Sequence, residues 1–304
     1  MCERALIQLV VDNMNNKNDL DVTLWDRLAT LPQYLIPQHA LSVLMHKLTR
    51  SECQWFKNNF IRFIVKKYKV NLDEAYTAEL SAYPSFNSFF TRELKTGVRP
   101  IAEGRSKAVS PVDGAISQLG PVQEGKIIQA KGQDYTVAEL LAGDTDLAQQ
   151  FEKGQFATIY LSPRDYHRIH MPLAGRLKSM TYIPGKLFSV SPRTARAVPN
   201  LFARNERVVT VFETDFGPMV LVLVGAIFVG SMETVWQGMI TPAYGKKIEH
   251  WDYQEQDMIS LQKGEEMGRF NMGSTVVMLM PEQSEEFLSA LKAGDVVKMG
   301  QAIS

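Results

Sequence analysis

From Ala108 onward the chain is a succession of short apolar and β-branched runs separated by glycine- and proline-bearing turns. This texture restricts the fold more than any other feature. The runs are AVSPVDGAISQL (108–119), KIIQAKG (126–132), QFATIYL (155–161), GRLKSMTYI (175–183), RVVTVFET (207–214) and PMVLVLVGAIFVG (218–230). Their length and composition predict strands. Helical patterning in the same region is confined to TVAELLAG (136–143) and EEFLSALKAG (285–294). The longest apolar stretch, Met219 to Gly230, falls short of the about 20 residues a spanning helix needs, so a buried strand or strand pair is expected there.

The segment before it has a different period. Leu24 to Val70 reads as helical with a break near Pro32 and Pro37, and PSFNSFFTREL (84–94) as another short helix. In QWFKNNFIRFIVKKYKV (54–70), Trp55, Phe56, Phe60, Phe63 and Ile64 recur at helical spacing and gather on one face. The expected class is therefore α+β: a helical N-terminal region followed by a β-rich catalytic body. The boundaries drawn are a variable extension over 1–30, a helical region over 31–95, and the β-rich domain over 96–304.

Thirty-three basic and thirty-three acidic residues cancel, so overall charge gives no reason to expect nucleic acid as a partner. The asymmetry is local. Between 41 and 70 there are seven Lys or Arg (47, 50, 57, 62, 66, 67, 69) against one acid, Glu52, an excess of six. Such a helix either packs on the protein's own core with a solvated basic face, or lies at a membrane surface with its aromatics in the headgroup boundary and its cations on anionic lipid. Two cysteines, Cys2 and Cys53, argue for a reducing compartment and against a disulfide scaffold or a cysteine-rich metal site. ALIQLVV near the N-terminus lacks a cleavage pattern, and the polar stretch NMNNKNDLD after it reads as a loop.

Candidate chemistry is scattered along the chain. RFNMGSTVVMLMP (269–281) places Gly273 and Ser274 directly ahead of a strand-like run; taken alone it is a turn and a buried strand. LSPRDYHRIHMPLAG contributes His167 and His170, which an extended strand would turn to opposite faces and a helical turn would bring together. Without a matching cysteine or carboxylate set they make an incomplete zinc signature, and no metal is expected. PVDG puts Asp113 in a turn. Asp113, His170 and Ser274 could form an acid–base–nucleophile set, but the G-x-S-x-G elbow of many serine hydrolases is absent around Ser274. What Gly273 permits is attack by the Ser274 oxygen on the carbonyl just before it, because glycine carries no Cβ to obstruct the approach. A hydrolase that keeps its serine, and a biotin-type carrier built on Lys298 beside Met299, are the rival readings.

Taken in order, SFNSFFTREL, VDGAISQLG, YLSPRDYHRIHMP, VPNLFARNERV, GSMETVWQGMITP and KGEEMGRFNMGSTVV resemble the bacterial pyruvoyl-dependent phosphatidylserine decarboxylase proenzymes from about Tyr34 to the C-terminus. The first thirty residues match the pattern poorly, and the usual Leu-Gly-Ser-Thr is Met-Gly-Ser-Thr, a volume-conserving change. The resemblance implies that Ser274 attacks the Gly273 carbonyl and that elimination cuts the chain into 1–273 and 274–304, with a covalent pyruvoyl cofactor left from Ser274. It assigns His170 as general base with Asp113 as its orienting carboxylate, and His167 to the decarboxylation, by holding the carboxylate or handling the proton. The cofactor would form a Schiff base with phosphatidylserine and release phosphatidylethanolamine. Arg204 and Arg207 are candidates for the lipid phosphate, with a surface ion pair as the alternative. The expected partners are phosphatidylserine and an anionic membrane, with the two chains joined as a heterodimer and a higher oligomer left open. The expected place is the cytoplasmic face of the cell membrane, peripherally bound.

Overall fold

The computed structural model describes residues 22–227, 231–241, 247–254 and 258–304. Residues 1–21, including Cys2 and the polar stretch after it, lie outside the described residues, as does the end of the apolar run to Gly230. The chain combines helices near its start with sheets over most of the remainder, the α+β class expected.

The helices are α1 (Leu24–Thr30), α2 (Pro32–Leu35), α3 (Gln38–Thr49), α4 (Gln54–Tyr68) and α5 (Phe86–Phe90). Breaks fall at Pro32 and before Gln38, where the prolines predict them, and a further one over Arg50–Cys53, which carries no proline and was not expected from the sequence. Thr23 caps α1, its hydroxyl accepting from the Asp26 N–H while the Asp26 carboxylate accepts from the Thr23 N–H, and Pro32 opens α2. Ser85 caps α5 in the same way, with Ser88 as the reciprocal partner.

Among the described residues the largest sheet has nine strands. Its main path runs β11 (Glu249–Asp252), β6 (Gly175–Ile183), β7 (Arg207–Thr214), β8 (Gly217–Val224), β14 (Ser274–Met280), β4 (Gln155–Leu161), β1 (Gly114–Pro121) and β15 (Val296–Val297), with β12 (Ser260–Leu261) also on β6. A four-stranded sheet runs β10 (Gly238–Met239), β9 (Met232–Thr234), β13 (Glu266–Phe270) and β5 (Arg168–His170), and β2 (Lys126–Ala130) pairs with β3 (Gln133–Thr136). The strand-like runs therefore become strands, and the run from Met219 becomes the buried β8. TVAELLAG yields a single helical turn, Val137–Leu140.

EEFLSALKAG is not a helix. The Phe287 N–H donates to the Gln155 side chain and the Leu288 N–H to the Ile303 carbonyl, so donors that a helix would use internally are spent on distant partners.

The β14 strand is the central positioning element. It is buried along its whole length and hydrogen-bonded on both sides, to β4 and β8. Its entry lies at a seam. The main core fills the sheets, and a second cluster of Ile61, Ile64, Val70, Tyr83, Phe86, Phe89 and Phe90 joins α4 to α5. Met272, one residue before the Gly273–Ser274 pair, packs against both.

Candidate active site

Ser274 is the first residue of β14 and faces Leu161, the last residue of β4. It is fully buried, and among the described residues its hydroxyl has no hydrogen-bond partner. A buried hydroxyl without a partner is costly and calls for a reason. The approach to it is tethered. The Phe270 N–H donates to the His167 carbonyl, Asn271 donates its side chain to Ser231 and Glu233, and it accepts from Asn87 on α5. Gly273 is not in the left-handed region, and a Cβ there would meet only the Leu161 carbonyl at 3.6 Å, an ordinary contact. The folded backbone therefore does not demand glycine. What glycine adds is the lack of a Cβ beside its own carbonyl.

The two histidines sit on an extended segment, and their surroundings differ. His167 is fully buried, with its ring 4.0 Å from that of Phe90. Its Nδ1 lies 2.9 Å from the Asp165 carbonyl, which can only accept, so Nδ1 carries the hydrogen and Nε2 the lone pair. That Nε2 has no partner among the described residues. Burial pushes the imidazole down to about 3, which keeps it neutral. His170 donates from Nδ1 to the Gly264 carbonyl at 2.8 Å, and its Nε2 accepts from the Tyr166 hydroxyl at 3.0 Å. Burial lowers its pKa as well, partly opposed by the Gly264 contact and by the negative charges of Glu266 and Asp113.

Asp113 does not make the hydrogen bond to His170 that the resemblance implies. Its carboxylate accepts from Arg99 Nε at 2.9 Å and Nη2 at 2.6 Å, from Lys298 Nζ at 3.1 Å and from the Met299 N–H at 2.9 Å. Burial opposes its ionisation, yet these donors outweigh it and hold the carboxyl below the usual range. Arg99 also binds Glu74 at 2.5 Å. Asp113 can therefore reach His170 only through the field of its charge. Lys298 is committed to this ion pair.

The two arginine candidates part company. Arg207 is buried and donates to the carbonyls of Leu140, Asn205 and Glu139; burial lowers its pKa to about 10. Its fork is consumed by backbone, so it has nothing to offer a phosphate. Arg204 lies over the rings of Phe188 and Tyr34 at 5.1 and 6.0 Å, beside Lys186, in a cavity against α2 and the start of α3. It is not brought to Ser274 by any contact described.

Several residues of this site were not singled out from the sequence: Tyr166 on His170, Arg99 on Asp113, Asn271 at the entry to β14, and Arg92, discussed below. Tyr166, Asn271 and Arg92 fall inside blocks already quoted, YLSPRDYHRIHMP, KGEEMGRFNMGSTVV and SFNSFFTREL, but only the fold reveals what they touch.

A family model described as phosphatidylserine decarboxylase matches residues 86–304, and a second, described as PSD, matches 28–69. The chain is 53% identical over 286 residues to the phosphatidylserine decarboxylase proenzyme of Nitrosococcus oceani, which covers 94% of both chains. It is 52% identical over 279 residues to that of Shewanella amazonensis, with 91% of this chain and 97% of the relative covered. Shewanella pealeana supplies another at 52% over 282 residues, covering 92% and 98%. These matches run through the Gly273–Ser274 junction and both histidines, and on them the chain belongs to the phosphatidylserine decarboxylase family.

Proposed function

We propose that this chain is a self-processing phosphatidylserine decarboxylase proenzyme that converts phosphatidylserine to phosphatidylethanolamine and carbon dioxide. Family membership over nearly the whole chain supports the reaction. The observation that carries the processing is the Ser274 hydroxyl, buried, without a hydrogen-bond partner among the described residues, and directly following a glycine that has no Cβ to crowd its own carbonyl.

In processing, Ser274 Oγ bonds to the Gly273 carbonyl carbon and the Gly273–Ser274 peptide bond breaks, leaving an ester. Loss of the Ser274 α-proton then breaks the Cβ–Oγ bond, which frees the Gly273 carboxylate, and water replaces the amine as ammonia. His170 takes the Ser274 proton. Its Nδ1–H is pinned by Gly264, so Nε2 is the basic atom, and it must exchange the Tyr166 hydroxyl for that of Ser274. Asp113 favours the resulting imidazolium by charge.

The residues at 274 fit a pyruvoyl origin, and that group would supply a carbonyl that joins the substrate amine and draws off the electron pair released as the carboxylate leaves. His167 serves this stage. Its neutral Nε2 carries a lone pair and no hydrogen, so it can accept and return a proton but cannot donate to a carboxylate; of the two roles the resemblance offers, proton handling is the one its hydrogen bonding supports.

The cut chains stay together in this reading. The 274–304 segment contributes the buried β14, paired on both sides, and the Lys298 and Met299 contacts to Asp113. The protein sits on the cytoplasmic face of the membrane, held by its N-terminal helices. Among the described residues no helix is long and apolar enough to cross a bilayer. The exposed apolar side chains on these helices include Trp25, Leu35, Trp55 and Phe63, and Arg62, Lys66 and Lys67 lie exposed on α4. The face expected from periodicity is divided: Ile64 is buried and Phe60 is half-buried against the second core. Lys57 is withdrawn from it, buried and bonded to the Ser81 carbonyl and the Asn58 side chain.

The test of the activity is release of carbon dioxide from carboxyl-labelled phosphatidylserine in mixed micelles, with phosphatidylethanolamine formed in equal amount. Release of free serine or fatty acid in its place would favour a hydrolase.

A further inference from the structure

Arg92 lies near the end of the block SFNSFFTREL and is 4% exposed. One of its nitrogens, Nη2, donates to the Arg164 carbonyl at 3.1 Å, and the guanidinium carbon lies 5.4 Å from the Phe89 ring centroid. Nε and Nη1 are buried and have no partner among the described residues. A guanidinium with two orphaned donors is expensive to bury, and burial lowers its pKa. Among the described residues no carboxylate pairs with it, and Asp113, Asp165 and Glu74 act on it only through the field of their charges.

The side chain lines a cavity of about 120 Å³ together with Lys69, Arg99, Arg164, Asp165 and Lys298. The acidic groups there are largely committed: Asp113 and Glu74 hold Arg99, and Asp113 also holds Lys298. Arg92, Lys69 and Arg164 remain against Asp165, so the cavity favours an anion. It also adjoins the reacting region. Phe90, two residues before Arg92, contacts the His167 ring, and the positive charge of Arg92 is felt at His167.

Resting on the decarboxylase reading above, we infer that Arg92 binds the phosphodiester of the phosphatidylserine head group and is a specificity-determining residue. The substrate carries two anions, and the chemistry separates them. The carboxylate loses its charge as carbon dioxide departs, so an arginine paired with it would stabilise the ground state more than the transition state. The phosphodiester keeps its charge throughout, and contact with it binds ground and transition states alike. The unpaired Nε–H and Nη1–H leave from different edges of the guanidinium, Nε sharing its edge with the Nη2 that is bonded to Arg164, and each offers one charge-assisted hydrogen bond to an anionic oxygen. In phosphatidylserine one oxygen and one methylene separate the phosphorus from the amine-bearing carbon, so an anchored phosphate fixes the reach of the reacting end.

Arg92→Met, Arg92→Lys and the parent enzyme are compared after maturation, which intact mass verifies. The Met variant should raise KM for phosphatidylserine by about ten- to a hundredfold while kcat changes less than about threefold. The Lys variant should recover part of the loss, and competitive inhibition by sn-glycerol 3-phosphate should disappear in the Met variant. An unchanged KM in the Met variant overturns the inference, as does a fall in kcat alone. Should the Met variant fail to mature, a structure of the mature parent enzyme with glycerol 3-phosphate decides: a phosphate oxygen on Nε or Nη1 of Arg92 supports the assignment, and a phosphate elsewhere or absent overturns it. A parent enzyme that matures but releases no carbon dioxide from phosphatidylserine would instead refute the decarboxylase reading on which the inference rests.

Discussion

Asp113 accepts two hydrogen bonds from the guanidinium of Arg99 and makes none with His170. If the carboxylate assists His170 by charge alone, its position matters more than its contact, and Arg99 sets that position. Both side chains are almost fully buried, 7% and 2% exposed, and breaking such a pair costs about 3 to 5 kcal/mol. Arg99→Met and Asp113→Asn should each lower the melting temperature and slow chain cleavage by at least about tenfold. The measurement is a time course of the two chains on a denaturing gel. Cleavage at the parent rate in Arg99→Met, with slow cleavage in Asp113→Asn, would restore a direct Asp113–His170 contact to the mechanism.

The histidines should separate by function. His170→Ala should remain one chain, and His167→Ala should mature but release little carbon dioxide. Tyr166→Phe refines the assignment: removing the hydroxyl from His170 Nε2 frees the base, so cleavage should accelerate about fivefold, the equivalent of one ordinary hydrogen bond. Slower cleavage in Tyr166→Phe would make the tyrosine a participant in proton transfer.

The strands, and the helices with their interruption near Pro32 and Pro37, were legible in the sequence because period, β-branching and proline breaks are local. Ser274, His167, His170 and Asp113 were singled out as candidates through their motifs. Their partners were not. Arg99 and Asp113 are 14 residues apart, and nothing in the spacing of either says that they meet. Lys57 has the spacing of a surface cation, and its burial is explained by partners that include the distant Ser81 carbonyl as well as the neighbouring Asn58 side chain. EEFLSALKAG has helical composition but spends its donors on Gln155 and Ile303, a tertiary choice that local propensity cannot anticipate.

Stability should depend on pH in two opposing ways, best measured on the uncleaved Ser274→Ala chain. His167 has a folded pKa of about 3 against an ordinary 6.5. The unfolded chain therefore takes up the proton first, and stability that is complete above about pH 6.5 falls as pH drops toward 3. Glu206 is the reverse. Burial raises it to about 7 from 4.5, opposed by the Tyr182 hydroxyl, so its stabilising contribution is complete below pH 4.5 and is lost as pH rises through 7. Glu206→Gln should thus be more stable than its parent at pH 8 by roughly 1 to 3 kcal/mol, with the gap closing near pH 5. Urea denaturation at the two pH values checks this, and equal gaps would contradict it.

Membrane docking should need both charge and apolar surface. Arg62, Lys66 and Lys67→Gln together should weaken binding to phosphatidylserine vesicles, each cation contributing about 1 kcal/mol, and added salt should do the same to the parent protein. Trp25, Leu35 and Trp55→Ser should weaken binding with little loss of stability, whereas Lys57→Gln should lower stability and leave binding unchanged. Sedimentation with vesicles measures each case. Salt-independent binding that survives the serine substitutions would move the lipid contact to another surface.

The measurement closest to the centre of the account is the intact mass of the purified, denatured protein. Two chains are expected, residues 1–273 ending in a free carboxylate and residues 274–304 lighter by one ammonia than the same segment with an amino-terminal serine, while Ser274→Ala gives a single chain. A single uncleaved mass for the parent protein, or a small chain that begins with an intact serine, would contradict it.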